Sequence, residues 1–344
     1  MTKKHASIHD VARAVGVHPS TVSRVLNART RHLVSPSVAA RVTAAARRLG
    51  YTPDQVAAGL RTRRSSTVGV LIPDLANPLF PPIVRGIESV LTEAGYTAII
   101  ANTDNAAARA REALERFAAR RVDGLVLAGV VRRDPLLPRL RALGVPTVLV
   151  NRTVDAGGIP AVVNDDAAGS ALAVDHLLAL GHAFIGHVAG PQRLSTGAAR
   201  RAGFLAAIKA AGRAVRESAV AVARSYETGA GAQAGRTLLD AHPRLTAIVA
   251  ANDLLALGCY DELARRGLAC PRDVSVVGFN DMPFADRFSP PLTTVHIPHR
   301  LIGVEAARLL LEAIAHPETP AREIRVAPEL VVRGSTARPP RGRR

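Results

Sequence analysis

From Thr67 onward the chain repeats one texture, a short run of β-branched and other apolar residues followed by an Ala/Leu-rich stretch of helical period. The runs read TVGVLIPD, YTAIIANT, VDGLVLAG and VPTVLVNR, then AFIGHVAG, LTAIVAAND and DVSVVGFND. Strands that are apolar along their whole length are buried on both faces, as in a parallel sheet covered by helices on each side. The runs form two series that divide near Asn164 to Gly169, which predicts two similar lobes. The late segments LTTVHIPHRLIGVEAARLLLEAI and REIRVAPELVVRG predict a crossing back with a closing helix and strand. In open α/β sheets ligands sit beyond the carboxyl ends of the strands, so the cleft between the lobes is the predicted site.

A chain of 344 residues exceeds one hydrophobic core, and its 48% apolar content suffices for two or three. There is no apolar run of membrane-spanning length, and the opening MTKKHASIHD lacks the apolar stretch of a secretory signal. The expectation is a cytoplasmic protein with no membrane partner. Cys259 and Cys270 follow no metal or disulfide spacing and read as small buried hydrophobes; no metal site and no cofactor are expected. Enzyme signatures are missing too. The glycine-rich GAGAQAG, Gly229 to Gly235, is separated from the preceding apolar run by RSYET, so it reads as a helix start and not a dinucleotide loop. No phosphate-binding GxxxxGK[ST] or nucleophile-elbow GxSxG occurs. His182 and His187 read as core or strand-end residues. The chain is predicted not to be an enzyme.

The first 64 residues carry twelve Lys/Arg against Asp10 and Asp54, a charge of +10 out of +17 for the whole chain. Such asymmetry points to a polyanionic partner, because phosphate neutralisation releases counterions. An arginine-rich composition throughout the chain is the bland alternative. Ser7 followed by Asp10 forms a capping-box pattern ahead of VARAV, and Gly16 permits a tight turn into HPSTVSRVLN. There Val22, Val25 and Leu26 share one helical face, with Pro19 as the first helical residue. A third helix is predicted from an N-cap at Ser35 and Pro36 to Gly50, and the core to be Val11, Val15, Val22, Val25, Val38, Val42 and Leu49. Ser20, Arg24 and Asn27 then line the opposite face of the second helix, where Arg24 can pair with guanine O6 and N7 and Thr21 and Ser23 suit phosphates. A plain three-helix bundle satisfies the same spacing. Beyond it, YTPDQVAAGLRTRRSST is a polar, basic connection with one short helical stretch.

The segments ASIHDVARAVGVHPSTVSRVLN, VSPSVAARVTAAARRLGYTP, STVGVLIPDLANPLF, HLLALGHAFIGHVAGP, TAIVAANDLLALG, VSVVGFND and PPLTTVHI together resemble the lactose-repressor family of bacterial transcription regulators. The resemblance spans almost the full chain. It implies an all-α helix-turn-helix headpiece, residues 1–52, and a hinge helix and linker, 53–66. A two-lobed, periplasmic-binding-protein-like α/β core with parallel sheets follows. Its N-subdomain is 67–164 plus about 296–325, its C-subdomain 165–295 plus about 326–336, and a basic tail occupies 337–344. The implied partners are operator DNA, a small effector (a sugar or related metabolite) and a second copy in a homodimer.

Position by position, the resemblance puts Pro19, Ser20 and Arg24 on bases and Ser7, Thr21, Ser23, Asn27 and Tyr51 on phosphates. Arg29 and Arg31 belong to the same basic segment, and Leu60 falls on the leucine that wedges into the minor groove. In the cleft it implies effector contacts from Leu79, Phe80, Asn151, Arg152, Thr196, Arg200, Tyr226, Asn252, Asp253 and Asn280. Arg200 is the leading candidate, since a guanidinium in an apolar cleft needs an oxygen-rich partner. Three positions depart from the pattern. His18 replaces a capping serine, which weakens the cap and offers a pH-dependent phosphate contact; Asp54 replaces an asparagine at the hinge; Asn280 replaces an aspartate, with Asp281 as the neighbour able to compensate. Two other readings remain, a helix-turn-helix protein fused to a sugar or sugar-phosphate enzyme, and a corepressor-dependent regulator responding to purines or nucleosides.

Overall fold

The computed structural model describes residues 6–26, 30–51, 64–214 and 216–340. The chain divides into two compact units, residues 1–65 and 66–344.

Unit one packs helices α1 (Ile8–Val15), α2 (Pro19–Leu26) and α3 (Pro36–Leu49) around Val11, Val15, Val22, Val25 and Val42. The capping box at α1 forms in full: Asp10 N–H donates to Ser7 Oγ at 3.4 Å, and Ser7 N–H donates to the Asp10 carboxylate at 2.9 Å. Gly16, at φ 69°, turns the chain into α2, and Arg41 donates to the Val15 carbonyl at 2.7 Å, covering an orphan acceptor at the end of α1. Two details differ from expectation. Ser35 holds the N-cap position of α3 as expected, but its side chain makes no capping bond; its hydroxyl meets that of Ser37 at 3.4 Å. Leu49 is 37% exposed and Val38 only half-buried, because α3 buries the small residues Ala39, Ala45 and Ala46 beside Val42.

Unit two holds two six-stranded sheets. The first has the order β11-β5-β4-β3-β1-β2, built from β1 (Thr67–Ile72), β2 (Thr97–Asn102), β3 (Gly124–Leu127), β4 (Thr147–Val150), β5 (Ala161–Asn164) and β11 (Glu323–Val326), all parallel. The second has the order β12-β10-β9-β8-β6-β7, built from β6 (Ile185–Ala189), β7 (Val220–Val222), β8 (Ala247–Ala250), β9 (Ser275–Asn280), β10 (Thr293–His296) and β12 (Glu329–Val331). Only β12 runs antiparallel to its neighbour.

Helices α4 (Phe80–Glu93), α5 (Ala107–Ala119) and α6 (Leu137–Leu143) belong to the first sheet, and α7 (Asp166–Ala179), α8 (Ser195–Ala210), α9 (Thr228–Ala241) and α10 (Asp253–Arg265) to the second. The chain crosses between lobes after β5, after β10 and after β11. The closing helix α11 (His299–Ala315) returns to the first lobe and lies against α4. Gly86 and Gly303 make that approach possible, since a Cβ on either would collide with the backbone of the other helix. β7 is an edge strand of only three residues that its brevity conceals in the sequence, and the run YTAIIANT forms an edge strand, with Ile100 exposed.

Candidate functional site

Unit one presents one polar helical face. Ser20 and Arg24, one turn apart on α2, are exposed, and Pro19, Thr21 and Ser23 are half-buried beside them. The cap at this helix comes from an unexpected group: Ser20 N–H donates to His18 Nδ1 at 3.2 Å, with the Ser20 hydroxyl 2.8 Å from the same nitrogen. The imidazole thus replaces the serine cap, and in the neutral ring the remaining proton sits on Nε2. Ser7 is engaged with Asp10, donating from its hydroxyl at 2.7 Å. Arg31 is exposed in a short 3-10 turn, and Tyr51 is half-buried after α3. Asn27, Arg29 and Leu60 lie outside the described residues.

Unit two contains a small cavity at the carboxyl ends of the parallel strands, lined from both lobes. The first lobe contributes Asn77, Leu79 and Phe80 from the loop entering α4, and Asn151 and Arg152 from the end of β4. The second contributes Thr196 and Arg200 on α8, Tyr226 ahead of α9, Asn252 capping α10 and Asn280 ending β9. Local chemistry explains several placements. Asn151 sits at φ 64°, a left-handed conformation that asparagine tolerates, and this bend carries Arg152 off the strand. Asn252 accepts from Leu255 N–H at 2.8 Å as the N-cap of α10. Gly190, at the end of β6, leaves the space that the Tyr226 ring occupies.

Arg200 is 2% exposed and fully engaged by the protein itself. Its Nε donates to Asp166 Oδ1 at 2.8 Å, Nη1 to the Ala251 carbonyl at 2.5 Å and Nη2 to Asn280 Oδ1 at 3.3 Å, while its Cζ lies 3.7 Å above the centre of the Phe279 ring. The oxygen-rich partner expected of a ligand is therefore supplied largely by Asp166 and Ala251. Burial raises the Asp166 carboxyl above its ordinary pKa, and Arg200 opposes that rise. Arg152 differs. It is 6% exposed, among the described residues it forms no ion pair and its Nε has no hydrogen-bond partner, and burial lowers its pKa to about 10.

Two carboxylates do not reach the cavity. Asp253 lies in a niche opened by Gly278, where Oδ2 accepts from Met282 N–H at 2.7 Å and Oδ1 from the Thr294 hydroxyl at 2.5 Å; burial first of all pushes its pKa up to about 7. These bonds tie α10 to β10, and Asp253, expected among the effector contacts, is not among the residues lining the cavity. Asp281, the proposed substitute for the residue at 280, pairs instead with Arg333 at 2.8 Å and His296 at 3.0 Å. Asn77 is the lining residue that sequence reasoning missed, because Asn77–Pro78 reads first as a turn signal.

The other singled-out residues are structural. His182 and His187 are buried with ring nitrogens 2.9 Å from the Thr246 hydroxyl and 2.8 Å from the Val249 carbonyl. Within GAGAQAG it is Gly231 that lets α9 lie against α10, since a Cβ there would strike the Leu255 backbone. The expected tail is partly anchored: Ala337 exchanges hydrogen bonds with the Ser275 hydroxyl, at 3.0 and 3.2 Å. Among the described residues no cluster of metal-ligating side chains occurs, and no helix is long and apolar enough to cross a membrane.

Comparison with known proteins agrees with this division. Residues 7–54 match the model of bacterial regulatory proteins of the lacI family, and residues 174–336 that of a periplasmic binding protein-like domain. The ribose operon repressor of Escherichia coli strain K12 is 33% identical over 331 residues, covering 96% of this chain and 99% of that protein. A solved complex of the transcriptional regulator CelR with cellobiose is 33% identical, with a TM-score of 0.75, over 96% of this chain and 99% of its own. The lac repressor dimer bound to operator and the anti-inducer ONPF is 28% identical with a TM-score of 0.85, over 97% of this chain and 100% of its own.

Proposed function

The chain belongs to the lacI family of bacterial regulatory proteins, and from that premise we propose that it is a transcription repressor, binding a pseudo-palindromic operator as a homodimer and answering to a small sugar or related metabolite. The observation that carries the reading is the cavity lined from both lobes, in a chain whose full-length relatives include the ribose operon repressor and a regulator solved with cellobiose. A ligand touching Phe80 and Arg152 on one side and Thr196 and Asn252 on the other responds to lobe closure, so its affinity and that for DNA are coupled reciprocally. The headpiece of residues 1–52 would read the operator through Ser20 and Arg24, with the 53–66 hinge and Leu60 at the minor groove. The protein would act in the cytoplasm and without catalysis, a reading supported by the transcription repressors among its relatives.

Footprinting of the full-length protein on the DNA flanking its own gene, at low salt, tests this. A protected pseudo-palindrome is expected, and no protection with or without candidate metabolites overturns the reading. Arg24→Ala should remove about 1 to 3 kcal/mol of operator preference while leaving salt-sensitive binding to random DNA nearly intact. Equal losses on both DNAs would show that Arg24 holds phosphate and does not read a base.

A further inference from the structure

The cavity's two arginines are unequally compensated. Arg200 has a carboxylate 2.8 Å away in Asp166. Arg152 is equally buried, yet among the described residues its guanidinium has neither an ion pair nor a hydrogen-bond acceptor. The charged groups acting most strongly on it besides the Tyr226 phenol are Arg193 and Arg200, which add to the positive potential. A buried, unpaired cation lining a cavity is costly unless something arrives to neutralise it.

The uncharged groups point the same way. Asn77, Asn252 and Asn280 each spend the amide oxygen on the protein, accepting from Leu79 N–H at 3.1 Å, Leu255 N–H at 2.8 Å and Arg200 at 3.3 Å. Those donors fix the amide orientation, so each NH2 group is left to donate. The Thr196 oxygen accepts from the Tyr226 hydroxyl at 3.1 Å, which leaves its own proton to give. The lining is thus rich in donors. A neutral sugar brings a proton with every hydroxyl and needs acceptors as well; an oxyanion consumes donors and asks for none.

We infer that the ligand of this cavity is a small anion, a polyol bearing a carboxylate or phosphate whose oxygens rest on Arg152. This rests on the reading of the cavity as an effector site and narrows its ligand class.

Thermal unfolding of the full-length protein tests it against matched series: glucose and ribose, gluconate and glucuronate, glucose 6-phosphate and ribose 5-phosphate. At least one anionic series should raise Tm at millimolar concentration while the neutral parents leave it unchanged, and the responding series identifies the oxyanion. Arg152→Gln should weaken apparent affinity for that anion about 10- to 100-fold, and Arg152→Lys should keep part of it. Ligand-free Arg152→Gln should be at least as stable as wild type, since it removes an uncompensated buried charge; a structural role would lower its Tm. Stabilisation by neutral sugars equal to that by their acids, an unchanged anion response in Arg152→Gln, or no response to any anion would each overturn the inference. Footprinting wild type on its operator separates the two readings: protection without an anion response refutes the ligand class alone.

Discussion

Arg200→Met tests how the floor of the cavity is held. Methionine keeps much of the stem volume but strands the Asp166 carboxylate, which is 6% exposed, and frees the Ala251 carbonyl. Removing one partner of a buried ion pair costs about 3 to 5 kcal/mol, and most of the loss here is the stranded carboxylate. Adding Asp166→Asn removes that charge, so the double variant should recover about 2 kcal/mol, a coupling well above the error of additivity. The pH dependence follows from the direction of the Asp166 shift. Its folded pKa already lies above the ordinary value, mainly through burial, so its ionisation works against the fold. Without Arg200 the carboxyl rises further and takes up a proton on folding. The penalty for Arg200→Met should therefore shrink from pH 8 to pH 5, by up to about 1.4 kcal/mol per pH unit where the folded group is protonated and the unfolded one is not. The chain has no tryptophan, so urea unfolding followed by far-UV circular dichroism is the assay. A cost below about 1 kcal/mol, or the same penalty in an Asp166→Asn background, would refute the argument that Arg200 is held by a buried counter-charge.

Two further predictions concern α10. Glu262 gathers Arg265, Arg266 and Arg236 at 2.7, 2.7 and 3.3 Å, and the Arg265 hydrogen bond, opposed by burial, leads in drawing its pKa down to about 2. A depressed carboxyl contributes stability that is complete above the ordinary carboxylate range and lost as pH falls toward 2, so Glu262→Gln should flatten acid unfolding between about pH 5 and 2. Allowing for the half-exposed Arg265 and Arg236, its cost at pH 7 is about 1 to 2 kcal/mol, and an unchanged acid limb would refute the assignment. Gly258→Ala should cost about 1 to 3 kcal/mol, because the new methyl strikes the Thr228 carbonyl of α9, while Gly229→Ala, which meets nothing, should gain about 0.5 to 1 kcal/mol. Calorimetric Tm values that fail to move in opposite directions would contradict the helix contact.

What was legible in the sequence follows from the range of the forces involved. Unbroken apolar runs identify doubly covered parallel strands because burial acts on every residue of a strand, and the capping box at Ser7 is visible because its partner is three residues away. The edge strand β7 is hidden because Val220–Val222 is only three residues long, too short for an apolar run to stand out. Residue type misleads about capping bonds in both directions: Ser35 stands at the N-cap of α3 without a side-chain bond, whereas His18 is a poor cap by type and accepts the Ser20 N–H. The cavity shows the same limit more sharply. Its residues can be located by their position after strands, but their polarity cannot, because an asparagine looks identical whether its oxygen or its NH2 group faces the ligand. Only long-range contacts decide: Asp166 neutralises Arg200 across 34 positions, and Arg200 in turn occupies the Asn280 oxygen across 80. Arg200, the favoured ligand contact on type alone, spends its guanidinium on Asp166, Ala251 and the Asn280 oxygen, whereas among the described residues the Arg152 Nε has no hydrogen-bond partner.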